Sequence, residues 1–241
     1  MLTVVSTIVR TPLPARSAVL SLLLGAHPAR MPAADLVRAG AYLGIAESTV
    51  RVALTRAVAA GDLVRADGGY ALGERLVERQ RRQDESVRNA SAPWDGRWDQ
   101  VVVVGAGRAA ADRAALRSML AQAHLAELRE GVWMRPANRV DSLALHDPAV
   151  ARFTVGPVDR PAALAAELWD LDAWAKQGRE LLAELAATNE PAMRLSVAAD
   201  LVRHLVDDPL LPADLLPADW PGDRLRSTYA DYQDELATVW A

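Results

Sequence analysis

Residues 44–61 read Gly-Ile-Ala-Glu-Ser-Thr-Val-Arg-Val-Ala-Leu-Thr-Arg-Ala-Val-Ala-Ala-Gly. Val50, Ala53, Leu54 and Ala57 recur at the i, i+3, i+4, i+7 spacing of one buried helical face. Ser48, Val52, Thr55 and Ala59 project from the opposite side, edged by Arg51 and Arg56, and Gly61 supplies the stop. A helix entering the major groove of DNA needs such a face. Small residues permit close approach, Thr reaches phosphate or bases, and Arg pairs with guanine or phosphate. A generic solvated helix carries mixed acid and base pairs instead, and this face has no acid beyond Glu47.

The flanks fit. Ala15 to Gly25 reads as a helix apolar on most faces, hence a core helix. Pro32 begins a second helix that runs to about Gly40 or Gly44. Beyond Gly61, the short extended segments Asp62 to Arg65 and Tyr70 to Leu72 bracket Asp67-Gly68-Gly69, a hairpin signal. Three helices and a hairpin in this order predict a winged helix-turn-helix. The residues expected to meet DNA are Ser48, Thr49, Arg51, Thr55 and Arg56 on the third helix, with Arg65 on the wing. Residues 73–90, with Arg75, Arg79, Arg81, Arg82 and Arg88 among Glu and Asp, read as a solvated connecting helix.

A linker is expected near Asn89-Ala90-Ser91-Ala92-Pro93. Past it, the valines 101–104 read as a buried strand, Ala109 to Ala123 as a helix and Gly131 to Pro136 as a strand. Arg152 to Val155 gives a third strand, followed by one helix over Ala162 to Ala187. The order suggests a ferredoxin-like sandwich. From Pro191 the chain is helical with a Pro-rich interruption at 208–212. The expected fold is thus α+β and multidomain: winged helix over 1–73, connecting helix over 74–93, ferredoxin-like domain over 94–160, helical domain over 161–241.

The 241 residues carry 27 basic and 31 acidic side chains, a net charge of −4 that argues against a nucleic-acid partner. Position changes this. Residues 1–90 hold 12 Arg against 8 acids, and residues 91–241 hold 15 basic against 23 acidic residues. The balance is +4 on the reading segment and −8 on the rest, which confines the expected DNA contacts to residues 1–90. Lys176 is the only lysine, so the Arg content reflects composition more than recognition.

Several classes of chemistry are excluded. Without cysteine there is no disulfide scaffold, thiolate metal site or cysteine catalysis. No apolar run approaches the ~20 residues of a membrane span. The Ser17 to Ala26 stretch behind Arg10 and Arg16 mimics a secretory leader but follows another apolar segment, Leu2 to Val9, so a cytoplasmic protein is expected. His27, His124, His146 and His204 share no ligand spacing, so no metal is expected. The competing reading is an enzyme using the Gly105/Gly107 loop for a nucleotide cofactor. Val101 to Ala110 has the strand, G-x-G-x-x-A and helix of a dinucleotide site. It lacks the second strand ending in an acid about 20 residues on. No catalytic residue or cofactor is therefore expected. Asp207-Asp208, Asp170 and Asp172 read as caps, and Trp169 and Trp174 as core.

Several strings resemble one family in order. Ile45 to Arg56 looks like the recognition helix of the PaaX family of transcriptional repressors, regulators of phenylacetic acid degradation. Trp94-Asp95-Gly96-Arg97-Trp98 resembles the opening of that family's central domain, and Gly131-Val132-Trp133-Met134-Arg135-Pro136 its next strand. Trp169-Asp170-Leu171-Asp172, Asp208 to Pro212 and Leu215 to Gly222 resemble the later motifs. The resemblance implies a homodimeric repressor with a winged helix, a Cas2-like central domain and a helical C-terminal domain. It also implies double-stranded DNA and a small-molecule effector, an acyl-CoA such as phenylacetyl-CoA, as partners. Gln177-Gly178 stands where the family has a Tyr, and Gly105 where Cas2-like nuclease chemistry needs an Asp. Arg135 and Arg139 are candidates for the effector's phosphates by residue type alone.

Overall fold

A computed structural model describes residues 10–89, 92–105, 109–139 and 147–239. They fall into two units, one built from residues up to Val87 with Gly178–Val206 and Asp223 onward, the other from Arg88–Gln177 with Asp207–Gly222.

The first unit opens with α1 (Ala15–Gly25), β1 (Arg30–Pro32), α2 (Ala33–Tyr42) and α3 (Glu47–Ala59). β2 (Leu63–Ala66), β3 (Gly69–Leu72) and α4 (Glu74–Arg88) follow. α1 is apolar on most faces because it is covered on several sides, by α2, by α3 and by α8 (Pro191–Val206). Val19, Leu22 and Leu23 of α1 meet Val50 and Leu54 of α3 in one core, which Leu195 and Ala198 of α8 and Tyr232 of α9 (Gly222–Ala237) join. The hairpin forms where Asp-Gly predicts it, with Ala66 paired to Gly69. Two features differ from expectation. Pro32 ends a strand and precedes the helix, and that strand, β1, pairs with β3 to make a three-stranded wing ordered β1-β3-β2. α4 is docked rather than solvated: Leu76, Gln80, Gln83 and Ser86 are buried, and the Gln80 amide donates to the carbonyls of Leu24 and Ala26 at 2.9 Å.

The second unit contains β4 (Trp98–Val103), α5 (Ala110–Gln122), β5 (Ala126–Arg129), β6 (Val132–Pro136), β7 (Val150–Val155) and α6 (Pro161–Leu168). Its sheet is antiparallel and ordered β5-β6-β4-β7, the strand order of a split β-α-β sandwich and the frame of a Cas2-like domain. Residues 140–146, between β6 and β7, lie outside the described residues. Pleating sorts the core: Trp98 and Met134 face Ala165 and Leu215, while Val101 and Trp133 face Leu116 and Leu120 of α5. The strand of valines begins earlier than expected, at Trp98, and Val104 beyond its end is 59% exposed. β5 adds a strand that periodicity does not reveal. The single helix expected over 162–187 is two, α6 and α7 (Leu171–Ala187). The break falls at Trp169, which is extended, and Asp170, whose carboxylate accepts the Ala173 N–H at 3.0 Å to restart the helix.

Folding also redistributes the charge. The +4 and −8 of the linear halves become 16 basic and 16 acidic residues in the first unit, 11 and 15 in the second. The C-terminal helices bring acids to the N-terminal arginines: Arg10 bonds Glu184 and Asp200. Net charge thus leaves the reading unit neutral, and only the local distribution favours DNA.

Candidate nucleic-acid interface

The helix-turn-helix geometry rests on two glycines. Gly44 turns the chain from α2 into α3 at φ +71°, a left-handed conformation that favours glycine. Gly40 lets α2 pass against α3, because a β-carbon there would overlap Cγ2 of Val50. The turn is closed by the Ile45 N–H donating to the Gly40 carbonyl at 2.8 Å.

Val50, Ala53, Leu54 and Ala57 are the buried residues of α3, as the spacing predicts. Ser48, Thr49, Arg51, Val52, Thr55 and Arg56 are all exposed. Arg51 is hydrogen-bonded to Glu47 at 2.6 and 2.8 Å, an exposed i, i+4 pair of small worth that a phosphate can displace. The Thr55 hydroxyl donates to the Arg51 carbonyl at 2.9 Å. Arg56 has no ion pair among the described residues. Five of the six predicted contacts therefore share one helical face. Arg65 stands apart, on β2, stacked 5.8 Å from the ring of its cross-strand partner Tyr70.

Asp62 joins the two parts, and the sequence carries no signal for it. It is 3% exposed and ion-paired to Arg16 of α1 and to Arg75 of α4, the latter at 2.6 Å. Its carbonyl accepts the Gly73 N–H at 2.7 Å, closing the base of the wing. Burial raises the carboxyl's pKa, but hydrogen bonds and charge from Arg16 and Arg75 outweigh it and hold it below the ordinary value of 3.8.

Arg135, a candidate for effector phosphates, is instead structural. Its side chain is 6% exposed, paired with Asp99 across the strands at 2.9 Å and donating to the Ala123 carbonyl. Arg139 is half-buried and also engaged. Of the dinucleotide pattern, Ala106, Gly107 and Arg108 lie outside the described residues, as does His146. Among the described residues β4 pairs only with antiparallel strands, β6 and β7, and no parallel frame of the kind such a site needs is formed around it. Asp208 is buried, accepting the Leu210 N–H at 2.9 Å, and Trp174 stacks on Trp220 at 4.3 Å. Among the described residues no group of three or more His, Asp or Glu could hold a metal ion, and no helix is long and apolar enough to cross a membrane.

A helix-turn-helix packed on a three-stranded wing sheet places the chain among winged-helix proteins. Family comparisons carry this further. Residues 14–76 match the family "PaaX-like protein", residues 91–147 the "PaaX protein central Cas2-like domain" and residues 169–239 the "PaaX-like protein C-terminal domain". A solved structure of an uncharacterized protein from Mycobacterium tuberculosis is 50% identical, with a TM-score of 0.81 over 93% of this chain and 96% of that one. No curated protein matches. The chain belongs to the PaaX-like family, whose members are typically transcriptional regulators rather than enzymes, and membership implies DNA binding.

Proposed function

We propose that the protein is an effector-responsive, dimeric, cytoplasmic repressor whose reading segment, residues 1–73, binds palindromic operator DNA. The observation that carries this is the exposed face of α3, small and Arg-edged, set on a turn that buries the opposite stripe. Arg51 and Arg56 pair with guanine or phosphate, Ser48, Thr49 and Thr55 allow close approach, and Arg65 meets phosphate from the wing. Two protomers related by a two-fold axis read two half-sites. The effector, an aryl-acyl-CoA such as phenylacetyl-CoA by family resemblance, shifts the population away from the DNA-competent state through differential affinity. A mobility-shift titration on the protein's own promoter tests this. Salt-sensitive binding that weakens in Arg51→Ala is expected; binding with no salt dependence, or unchanged in the variant, overturns it.

A further inference from the structure

A groove of about 400 Å³ runs between α1 and α4 at the foot of the wing, wholly within the first unit. Arg16 of α1 and Arg75, Arg79 and Arg82 of α4 line it, with Leu20 and Leu76 as its apolar wall. The three arginines of α4 stand at the i, i+4, i+7 spacing of one helical face. Arg81, on the opposite face of the same helix, is bracketed by Glu78 at 2.7 Å and Glu85 at 2.6 Å. Of the residues lining the groove, only Asp62 is acidic.

Asp62 shows what arginines placed in this way can hold. Each of its carboxylate oxygens takes one guanidinium, Arg16 on one side and Arg75, at 2.6 Å, on the other. A phosphate offers the same pair of oxygens and is recognised by arginine in the same forked manner. Both guanidinium groups contact Asp62 through a single nitrogen, so each, already positioned, keeps further N–H donors. Arg79 makes no ion pair among the described residues. It is exposed, yet desolvation, then repulsion from Arg203, Arg82 and Arg75, lowers its pKa. The charges crowded around it are of its own sign.

The place of the groove favours a small anion over a duplex. Asp62 follows the C-terminal end of α3, whereas Ser48 and Thr49 stand in its first turn. The hairpin turns at Asp67-Gly68, about 13 Å further along the strands. A duplex backbone is convex and needs an outward track, whereas this groove is concave and within the ~300–1,000 Å³ of small-molecule sites.

We propose that this groove binds the phosphates of a small nucleotide, with the base against Leu20 and Leu76. Arg79 and Arg82 meet one phosphate, Arg16 and Arg75 the other, and Asp62 acts as a positioning residue. The proposal rests on the effector-responsive reading above and gives the phosphorylated end of a nucleotide thioester its place. The ligand then bridges α1 and α4 at the point where Asp62 already ties them to the base of the wing.

Calorimetry on the full chain without DNA, at about 0.15 M salt, tests the site. Adenosine 3′,5′-bisphosphate is the probe, with adenosine and inorganic phosphate as controls. Saturable binding of the bisphosphate with a Kd at or below about 1 mM is expected, with neither control binding as tightly. Arg79→Gln should weaken it about tenfold without lowering Tm. Arg81→Gln, the same change of charge on the opposite face of α4, should leave the affinity unchanged. No binding up to about 10 mM, equal binding of either control, or equal losses in the two variants overturns the proposal. Arg79→Gln that weakens operator binding in the absence of nucleotide as much as Arg51→Ala also overturns it, by making the groove a DNA contact. The two readings fail separately. Bisphosphate binding without DNA binding upholds the groove and overturns the repressor, and salt-sensitive DNA binding without bisphosphate binding does the reverse.

Discussion

Gly40 of α2 and Val50 of α3 pack so closely that a β-carbon at position 40 would lie inside the van der Waals envelope of Val50 Cγ2. The reading helix is therefore held at its angle by an absence of side chain. Gly40→Ala must push α3 outward or force Val50 off its rotamer, an overpacking expected to cost about 1–3 kcal/mol. Urea unfolding should show the lower midpoint, and mobility shifts should show weaker operator binding at a concentration where the variant is still folded.

Arg51 and Arg56 touch little besides solvent and the exposed Glu47, so removing either should leave unfolding within about 0.5 kcal/mol of the parent. Each alanine variant should weaken operator binding about tenfold. One that contacts phosphate should flatten the slope of log K against log salt by about 1, whereas one that reads a base should relax sequence preference with the slope unchanged.

Asp62 ties α1 and α4 to the base of the wing. Its folded pKa lies below the ordinary 3.8, so its contribution is present above the unfolded value and lost as pH falls through the folded one. Asp62→Asn should destabilise by about 1–3 kcal/mol at neutral pH, since its partners are themselves exposed and easily resolvated. The gap between parent and variant in urea unfolding should close below about pH 4. A gap that persists unchanged into acid would show that the packing of the side chain, not its charge, carries the effect.

Arg135 has little access to solvent, so its pair with Asp99 cannot be replaced by water when broken. Arg135→Ala should lower stability by about 3–5 kcal/mol. Operator binding by the chain that remains folded should be unchanged, since the reading helix α3 lies in the other unit.

The winged helix was legible in residues 44–61 because burial on α3 follows strict helical spacing and the wing turns at Asp67-Gly68. β1 was not: Arg30-Met31-Pro32 is too short to alternate, and its pairing with β3 is decided by chain some 40 residues away. The break at Trp169-Asp170 sits inside a stretch whose residues keep a helical pattern on both sides, and it is set by one carboxylate cap. Arg135 looked like an anion site because residue type says nothing of burial.

The chain passes from one unit to the other between residues 87 and 88, 177 and 178, 206 and 207, and 222 and 223. A stop codon near residue 90 would therefore not release a constitutive DNA reader. It would strip Leu195, Ala198 and Tyr232 from the core beneath α1 and α3 and leave that apolar surface facing water. For anyone wishing to retarget such a regulator, the portable part is the outer face of α3, six or so side chains to be grafted in place, and not a segment that can be cut out and spliced.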